Sequence, residues 1–259
     1  MATAARYHLD ETNLERQRLL GKVLNPFTRT FLAEAGLSSA ARCLDVGCGI
    51  GETTRLLASV APNAECVGLE KDAALLAAAR RQSDEPRVCF QEGDATQLPF
   101  GDHSFDFVFA RYLMMHLPQP GDAIREMLRV VRKGGTVMLI EPDFSFHATH
   151  PPSWAYERLP ELLRALLPDP FIGPKLGHLL RQAGAGEIHL DAVGRIEQGS
   201  SDVRRCWRLT VESMGPAMLA KNILTLEELA AVVAELRRVE DDIDSVLLCN
   251  PNVCAWART

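Results

Sequence analysis

The stretch LDVGCGIGETT, residues 44–54, decides the reading of this chain. A short apolar run closes on Asp45 and Val46. Gly47, Gly49 and Gly51 then alternate with Cys48 and Ile50, and a helical pattern starts at Glu52. Glycines so placed let the backbone turn sharply from a strand into a helix. They also admit a ligand at the helix N-terminus, where free N–H groups and the helix dipole favour an anionic group. A tight turn without any ligand accounts for the same glycines, so the neighbouring residues must arbitrate. Dinucleotide loops are spaced GxGxxG, and phosphate-binding P-loops end in Lys followed by Ser or Thr. This loop is spaced GxGxG after Asp45, with Glu52-Thr53 where the P-loop pair belongs. It suits a guest with an amino-acid end and a nucleoside end better than a phosphate chain.

Outward from the loop, RCLDV (42–46), CVGLE (66–70), RVCFQEGD (87–94), FDFVFARY (105–112) and TVMLIEPD (136–143) read as strands. Helices are expected over 52–60, 72–82 and 121–133, the last ending at Gly134-Gly135. Strands alternating with helices through short connections predict an α/β fold with a parallel, doubly wound sheet. Before the loop, Thr12 and Glu15 have capping-box spacing for a first helix. Asn25-Pro26 reads as the start of a second, which Gly36 ends. After residue 143 the pattern predicts a helix over 154–167 interrupted near Pro160 and another over 173–184. Strands at 187–196 and 245–258 flank helices within 202–240.

Composition narrows the class. The chain has 259 residues, 47% apolar and 24% charged, with a net charge of −6, which is the profile of a globular protein with an ample core. No apolar run approaches the ~20 residues that span a bilayer, and the charged start MATAARYHLDETNLERQRLL is unlike a secretory signal. The densest basic spots are Arg80-Arg81, Arg132-Lys133 and Arg204-Arg205, each read as a helix end or a solvated face, so neither nucleic acid nor membrane is an expected partner. Seven cysteines show no CxxC and no zinc spacing. Cys43, Cys66 and Cys89 sit in strand-like runs as small core residues, and a reduced, cytoplasmic compartment is expected.

Two acids complete the pattern. Glu70 closes the second strand, where a carboxylate can take both hydroxyls of a ribose, or else simply open the next loop. Asp94, closing the third, can accept from an exocyclic adenine amine while the Ala95 amide reads a ring nitrogen; alone, the sequence GDA is only a turn.

Taken in order, LDVGCGIG, VGLEKD, QEGDATQLPF, FDFVFARYLMMHL and LRVVRKGGTVMLIEPD resemble the consecutive motifs of the class I S-adenosylmethionine (SAM)-dependent methyltransferases. The likeness is to the small-molecule branch that includes ubiquinone/menaquinone-type and natural-product enzymes, and it covers residues 42 to 143. It implies a Rossmann-like sheet of seven strands, the last antiparallel, with helical cap insertions. It further implies an N-terminal helical lid over 1–36, a SAM-binding core over 37–143, and a remainder over 144–259 that completes the sheet and caps the acceptor with 144–172 and 200–240. The cofactor would be SAM, with Asp45 and Gly47, Gly49 and Gly51 at its methionyl end. Glu70 and Lys71 would lie at the ribose, Asp94 and Ala95 at the adenine, and Arg111 near the carboxylate or sulfonium edge. Tyr7, Arg16 and Gln17 would fold over it.

Methyl transfer from a sulfonium is an in-line displacement in which the protein aligns the nucleophile, excludes water and, for a phenol, indole or alcohol, removes a proton. Residues after the fourth and fifth strands fall at the acceptor. His116 is the candidate base, with Tyr112 and Asp143 beside it; a structural histidine capping the loop is the competing reading. Asp143, His147 and His150 lack a metal-site spacing, and no metal is expected. Phe144, Phe146, Trp154, Trp207 and Met214 suit an aromatic or apolar small molecule, although at helical spacing they also suit plain core. A SAM-binding protein without methyl transfer (a cyclase or regulator) and a nicotinamide oxidoreductase are the rival readings, and homodimerisation stays open.

Overall fold

A computed structural model of the chain describes residues 10–259. Its strands are β1 (Arg42–Val46), β2 (Glu65–Glu70), β3 (Val88–Glu92), β4 (Phe105–Arg111), β5 (Val131–Pro142), β6 (Ala148–His150), β7 (Ile188–Val193), β8 (Ile196–Gln198), β9 (Val246–Leu248) and β10 (Asn252–Arg258). The helices are α1 (Glu11–Glu34), α2 (Glu52–Val60), α3 (Ala73–Arg81), α4 (Pro120–Val130), α5 (Trp154–Leu166), α6 (Leu176–Gln182), α7 (Asp202–Ala220) and α8 (Leu226–Asp241).

The main sheet has seven strands in the order β3-β2-β1-β4-β5-β10-β7. Strands β1 to β5 run parallel, and β10, the last in the chain, is antiparallel to both its neighbours. Alternation along the strands explains why both faces are covered. Leu44, Val46, Val108, Ala110 and Leu139 meet Ile124 and Met127 of α4 on one face. Cys43, Phe107, Phe109, Met138 and Ile140 meet Phe31 and Leu32 of α1 and Leu57 of α2 on the other. A sheet buried on both sides needs near-continuous apolar runs, which is what these strands carry. The winding direction reverses between β1 and β4, and the crevice outside the carboxyl ends of strands at such a switch point is where ligands bind.

Several local expectations change. Helix α1 is continuous through Pro26, and its N-cap is Asp10, whose Oδ1 accepts from the Asn13 N–H at 2.8 Å, so the Thr12–Glu15 box is not used. Asn25 is not a cap either: its side chain accepts from Arg111, which ties this part of the helix to β4. Helix α4 stops at Val130, and β5 begins five residues before Thr136, with a register irregularity opposite Phe105 and Phe107. The run 245–258 divides at Pro251, which has no N–H for a ladder, and 187–196 divides around Gly194. Cys89 is exposed, because β3 is an edge strand.

The freed pieces form a second sheet, β6-β9-β8, antiparallel throughout. It joins α5, α7 and α8 into a cap whose centre is Arg204, fully buried on α7 rather than solvated. The Arg204 guanidinium donates to the carbonyls of Val239 (2.9 Å), Asp242 (3.2 Å), Glu197 (3.2 Å) and Ser245 (2.6 Å), and to the Ser245 hydroxyl. It thereby ties the end of α8 and strand β8 to α7. Helix α5 also runs unbroken through its proline. Pro160 has no N–H for the Tyr156 carbonyl four residues back, and His147 Nε2 takes that carbonyl instead, at 2.5 Å. Among the described residues no helix is long and apolar enough to cross a membrane.

Candidate active site

The loop between β1 and α2 turns through Gly47, Gly49 and Gly51, with φ of 74°, 56° and 84°. Positive φ favours glycine, and space excludes anything larger. A Cβ on Gly49 would lie 2.8 Å from Gln17 Oε1, and one on Gly51 would lie 2.6 Å from the Phe90 ring. Behind the loop, Asp45 is buried, and its Oδ2 accepts from Thr53 Oγ1 (2.6 Å) and Thr54 Oγ1 (2.7 Å). Burial pushes the Asp45 carboxyl up to about 6, against the pull of those two hydroxyls. Its Oδ1 is buried with no hydrogen-bond partner among the described residues. A buried carboxylate oxygen in that condition fits a cationic donor such as the amine of an amino-acid group.

Glu70, at the end of β2, reaches under the same loop. Its Oε2 accepts from Gly49 N (3.0 Å), and its Oε1 from Lys71 N (2.8 Å) and Asp72 N (2.9 Å). Oε2 has one partner and therefore keeps a lone pair for a hydroxyl. Asp94 and Lys71 pair with each other at 2.6 Å, and Asp94 Oδ1 also accepts from Thr96. The hydrogen bond from Lys71 is the main cause that holds the Asp94 carboxyl down to about 2. Ala95, next to Asp94, is buried. Tyr7 lies outside the described residues.

Arg111, at the end of β4, donates to Asn25 Oδ1 and to Thr28 Oγ1, both at 3.0 Å, so it ties α1 to the sheet beside Asp45. Burial lowers the Arg111 guanidinium to about 10, and the Asp45 carboxylate opposes that shift. The chain then turns at Tyr112, whose φ is +56°. The amides that follow, Leu113 (2.8 Å) and Met114 (2.7 Å), donate to Oε1 of Glu141, a fully buried acid on β5. Burial raises the Glu141 carboxyl to about 8, against those amides.

The sign of that shift gives a test. Folded Glu141 holds its proton up to about 8 and the unfolded side chain releases it near its ordinary 4.5, so the folded state binds more protons in between. Its stabilising share is full below that lower value and is lost as pH rises through the upper one. Glu141→Gln lacks this loss, so its stability relative to the natural protein should rise between about pH 5 and about pH 8 in urea unfolding. Equal pH slopes would mean that the carboxyl is ionised throughout.

A cavity partly open to solvent lies under α1 and α7 at the β4 and β5 exits. Leu20, Leu24 and Phe27 of α1 form one wall, and Phe144, Trp207 and Met214 form another. Tyr112, Asn250, Asn252, Arg16 and Arg195 supply polar atoms, and among the described residues no carboxylate lines it. Of the expected acceptor-side residues, the structure brings Tyr112 to this cavity but not His116 or Asp143. Burial lowers the His116 imidazole to about 4, and Asp143 Oδ1 accepts from the Ser145 amide at 3.0 Å. His147 is engaged with Tyr156, as described, and His150 is exposed on β6. Phe146 and Trp154 are exposed as well. Among the described residues no group of three or more His, Cys, Asp or Glu side chains is placed to share a metal ion. Sequence reasoning missed Asn250 and Asn252. The signal was Pro251 between them, which breaks the strand and turns both asparagines toward the cavity.

A doubly wound sheet with a glycine turn, a buried acid behind it and a second acid at the end of β2 defines a nucleoside-cofactor protein, with a separate apolar cavity beside the cofactor loop. The comparisons give the family. The profile of the family described as "Methyltransferase domain" matches residues 44–139. A demethylmenaquinone methyltransferase of Roseiflexus sp. (strain RS-1) is 31% identical over 184 residues, which is 64% of this chain and 76% of that protein. Among solved structures, the YcgJ protein from Bacillus subtilis matches 89% of this chain and 97% of its own, at a TM-score of 0.58 and 20% identity. The [4+2]-cyclase SpnF matches 89% and 80%, at 0.54 and 22%. The chain belongs to the class I SAM-dependent methyltransferases and acts on a small molecule.

Proposed function

We propose that the methyl acceptor is a largely aromatic or apolar molecule that is neutral or anionic where it enters the cavity. The cavity wall carries this reading: aromatic and methionine side chains, two arginines, and among the described residues no carboxylate in the lining to balance a cationic amine. The Roseiflexus relative, named for a demethylmenaquinone, fits the same chemistry.

SAM supplies an activated methyl group on a sulfonium. Asp45 Oδ1 and the loop of Gly47, Gly49 and Gly51 would hold its methionyl end, with the Arg111 guanidinium favouring the carboxylate there. Glu70 would accept from the ribose, and Asp94 and Ala95 would face the adenine, with Lys71 releasing Asp94 as it does so. Gln17, already against Gly49, closes the loop from α1. On the acceptor side the chain orients and dehydrates. Neither His116 nor Asp143 reaches the cavity as a base, and burial raises the Tyr112 phenol above its ordinary range, so it stays protonated and acts by position. The cap formed within 144–172 and 200–240 contributes Phe144, Trp207 and Met214 as the wall that excludes water. All seven cysteines are free, which supports a reducing compartment such as the cytoplasm.

The test is release of S-adenosylhomocysteine when the protein and SAM are offered matched aromatic acceptors: phenols, ring carboxylic acids and primary amines. Turnover with the first two groups and little with amines is expected. Preference for amines would overturn this reading of the cavity.

A further inference from the structure

The polar end of the cavity is built around Asn252, which the sequence did not single out, and Tyr112, which orients it. Tyr112 holds a left-handed backbone at φ +56°, a strained conformation for an aromatic residue. The surroundings impose it: the Tyr112 N–H donates to Ile140 O at 2.9 Å, and Glu141 anchors the amides that follow. The result is a phenol in the cavity wall whose hydroxyl donates to Asn252 Oδ1. Asn252 opens β10, is buried, and lines the same cavity. With its carbonyl oxygen taken by the phenol, the amide cannot rotate, and its NH₂ group has no partner among the described residues.

We propose that Asn252, oriented by Tyr112, is the specificity-determining anchor of the acceptor cavity, where its NH₂ donates to a carbonyl or other acceptor oxygen on an otherwise apolar ring system. This rests on the reading of the cavity as the acceptor site. Tyr112 is the positioning residue: it presents no free proton to the substrate but fixes which face of the amide the substrate meets. A cavity so furnished selects for an oxygen at one end of the molecule and leaves the remainder to apolar contact with Phe144, Trp207 and Phe27. An acceptor without the oxygen strands the amide hydrogens in an apolar site, which is a strong basis for discrimination.

The probe pair is 1-tetralone and tetralin, which differ by a single carbonyl oxygen, titrated calorimetrically into the full-length protein and its variants. In Asn252→Leu the ratio of tetralone to tetralin affinity should fall about tenfold while tetralin binding is kept, which also shows that the cavity is intact. Asn252→Asp, which replaces the NH₂ by an acceptor, should lower the ratio at least as far. Tyr112→Phe should lower it partway by letting the amide turn. An unchanged ratio in Asn252→Leu and Asn252→Asp overturns the anchor and leaves the apolar cavity standing. Failure of both probes to bind the natural protein overturns the acceptor cavity itself, and the anchor with it.

Discussion

Glu70→Ala is expected to weaken SAM binding by about a hundredfold or more, measured by calorimetric titration against the natural protein. A carboxylate that accepts from a ribose hydroxyl contributes about 1.5–3 kcal/mol through that charged hydrogen bond, and alanine removes it. It also removes the acceptor of the Gly49 amide, one of the contacts that hold the loop against β2 beside the bonds of the Gly47 and Cys48 amides to the Leu69 carbonyl. The two losses act on the same ligand and in the same direction. S-adenosylhomocysteine should weaken in parallel, because it carries the same ribose. NADH should give no binding heat with either protein. Unchanged SAM affinity in Glu70→Ala would remove this residue from the cofactor site and leave it as an anchor of the loop.

The largest stability effect is expected at Arg204. Arg204→Leu fills the volume but removes every guanidinium bond to the carbonyls of Val239, Asp242, Glu197 and Ser245; Val239 and Asp242 keep a weaker donor in Ser245, and Ser245 keeps one in the Gly199 amide. Hydrogen bonds from a charged donor contribute about 1.5–3 kcal/mol each, less what the remaining donors and entering water recover, so a loss of about 3–5 kcal/mol is expected. In a chain of this size that lowers the melting temperature on the order of 10 °C. Arg204→Lys should fall between, since a point-like ammonium cannot reach acceptors arranged around a planar fork. Arg204 makes no contact with the glycine loop, so SAM affinity below the transition should be unchanged. A melting temperature within about 1 °C of the natural protein would show that the cap does not depend on this residue.

What was legible in the sequence is what local chemistry controls. The glycine loop, the five parallel strands and the acids at the ends of β2 and β3 each follow from spacing and periodicity within a few residues. The cap follows from contacts between distant segments, and there sequence reading faltered. Arg204 looked solvated because an arginine pair at a helix start usually is; only the convergence of α8, β8 and the turn before β9 creates acceptors for it. The continuity of α1 through Pro26 and of α5 through Pro160 was hidden in the same way. At Pro160 a side chain from elsewhere, His147, takes the carbonyl that the proline leaves without a donor, and beside Pro26 Arg111 binds Asn25; no helical pattern reveals either contact. His116 attracted attention because an imidazole titrates near neutrality in water. Burial lowers that value to about 4 and the cavity lies past other residues. Asn252 was hidden inside a run read as one strand, and it emerges only when the sheet assigns the halves on either side of Pro251 to different layers.

Helix α1 borders both compartments: Gln17 rests on Gly49, and Leu20, Leu24 and Phe27, one to three turns on, face the acceptor cavity. Two ligands that bear on one rigid element are thermodynamically linked. Whatever factor the acceptor adds to the affinity for SAM, SAM adds to the affinity for the acceptor. The same reciprocity holds after transfer, when the demethylated cofactor and the methylated product each help to retain the other.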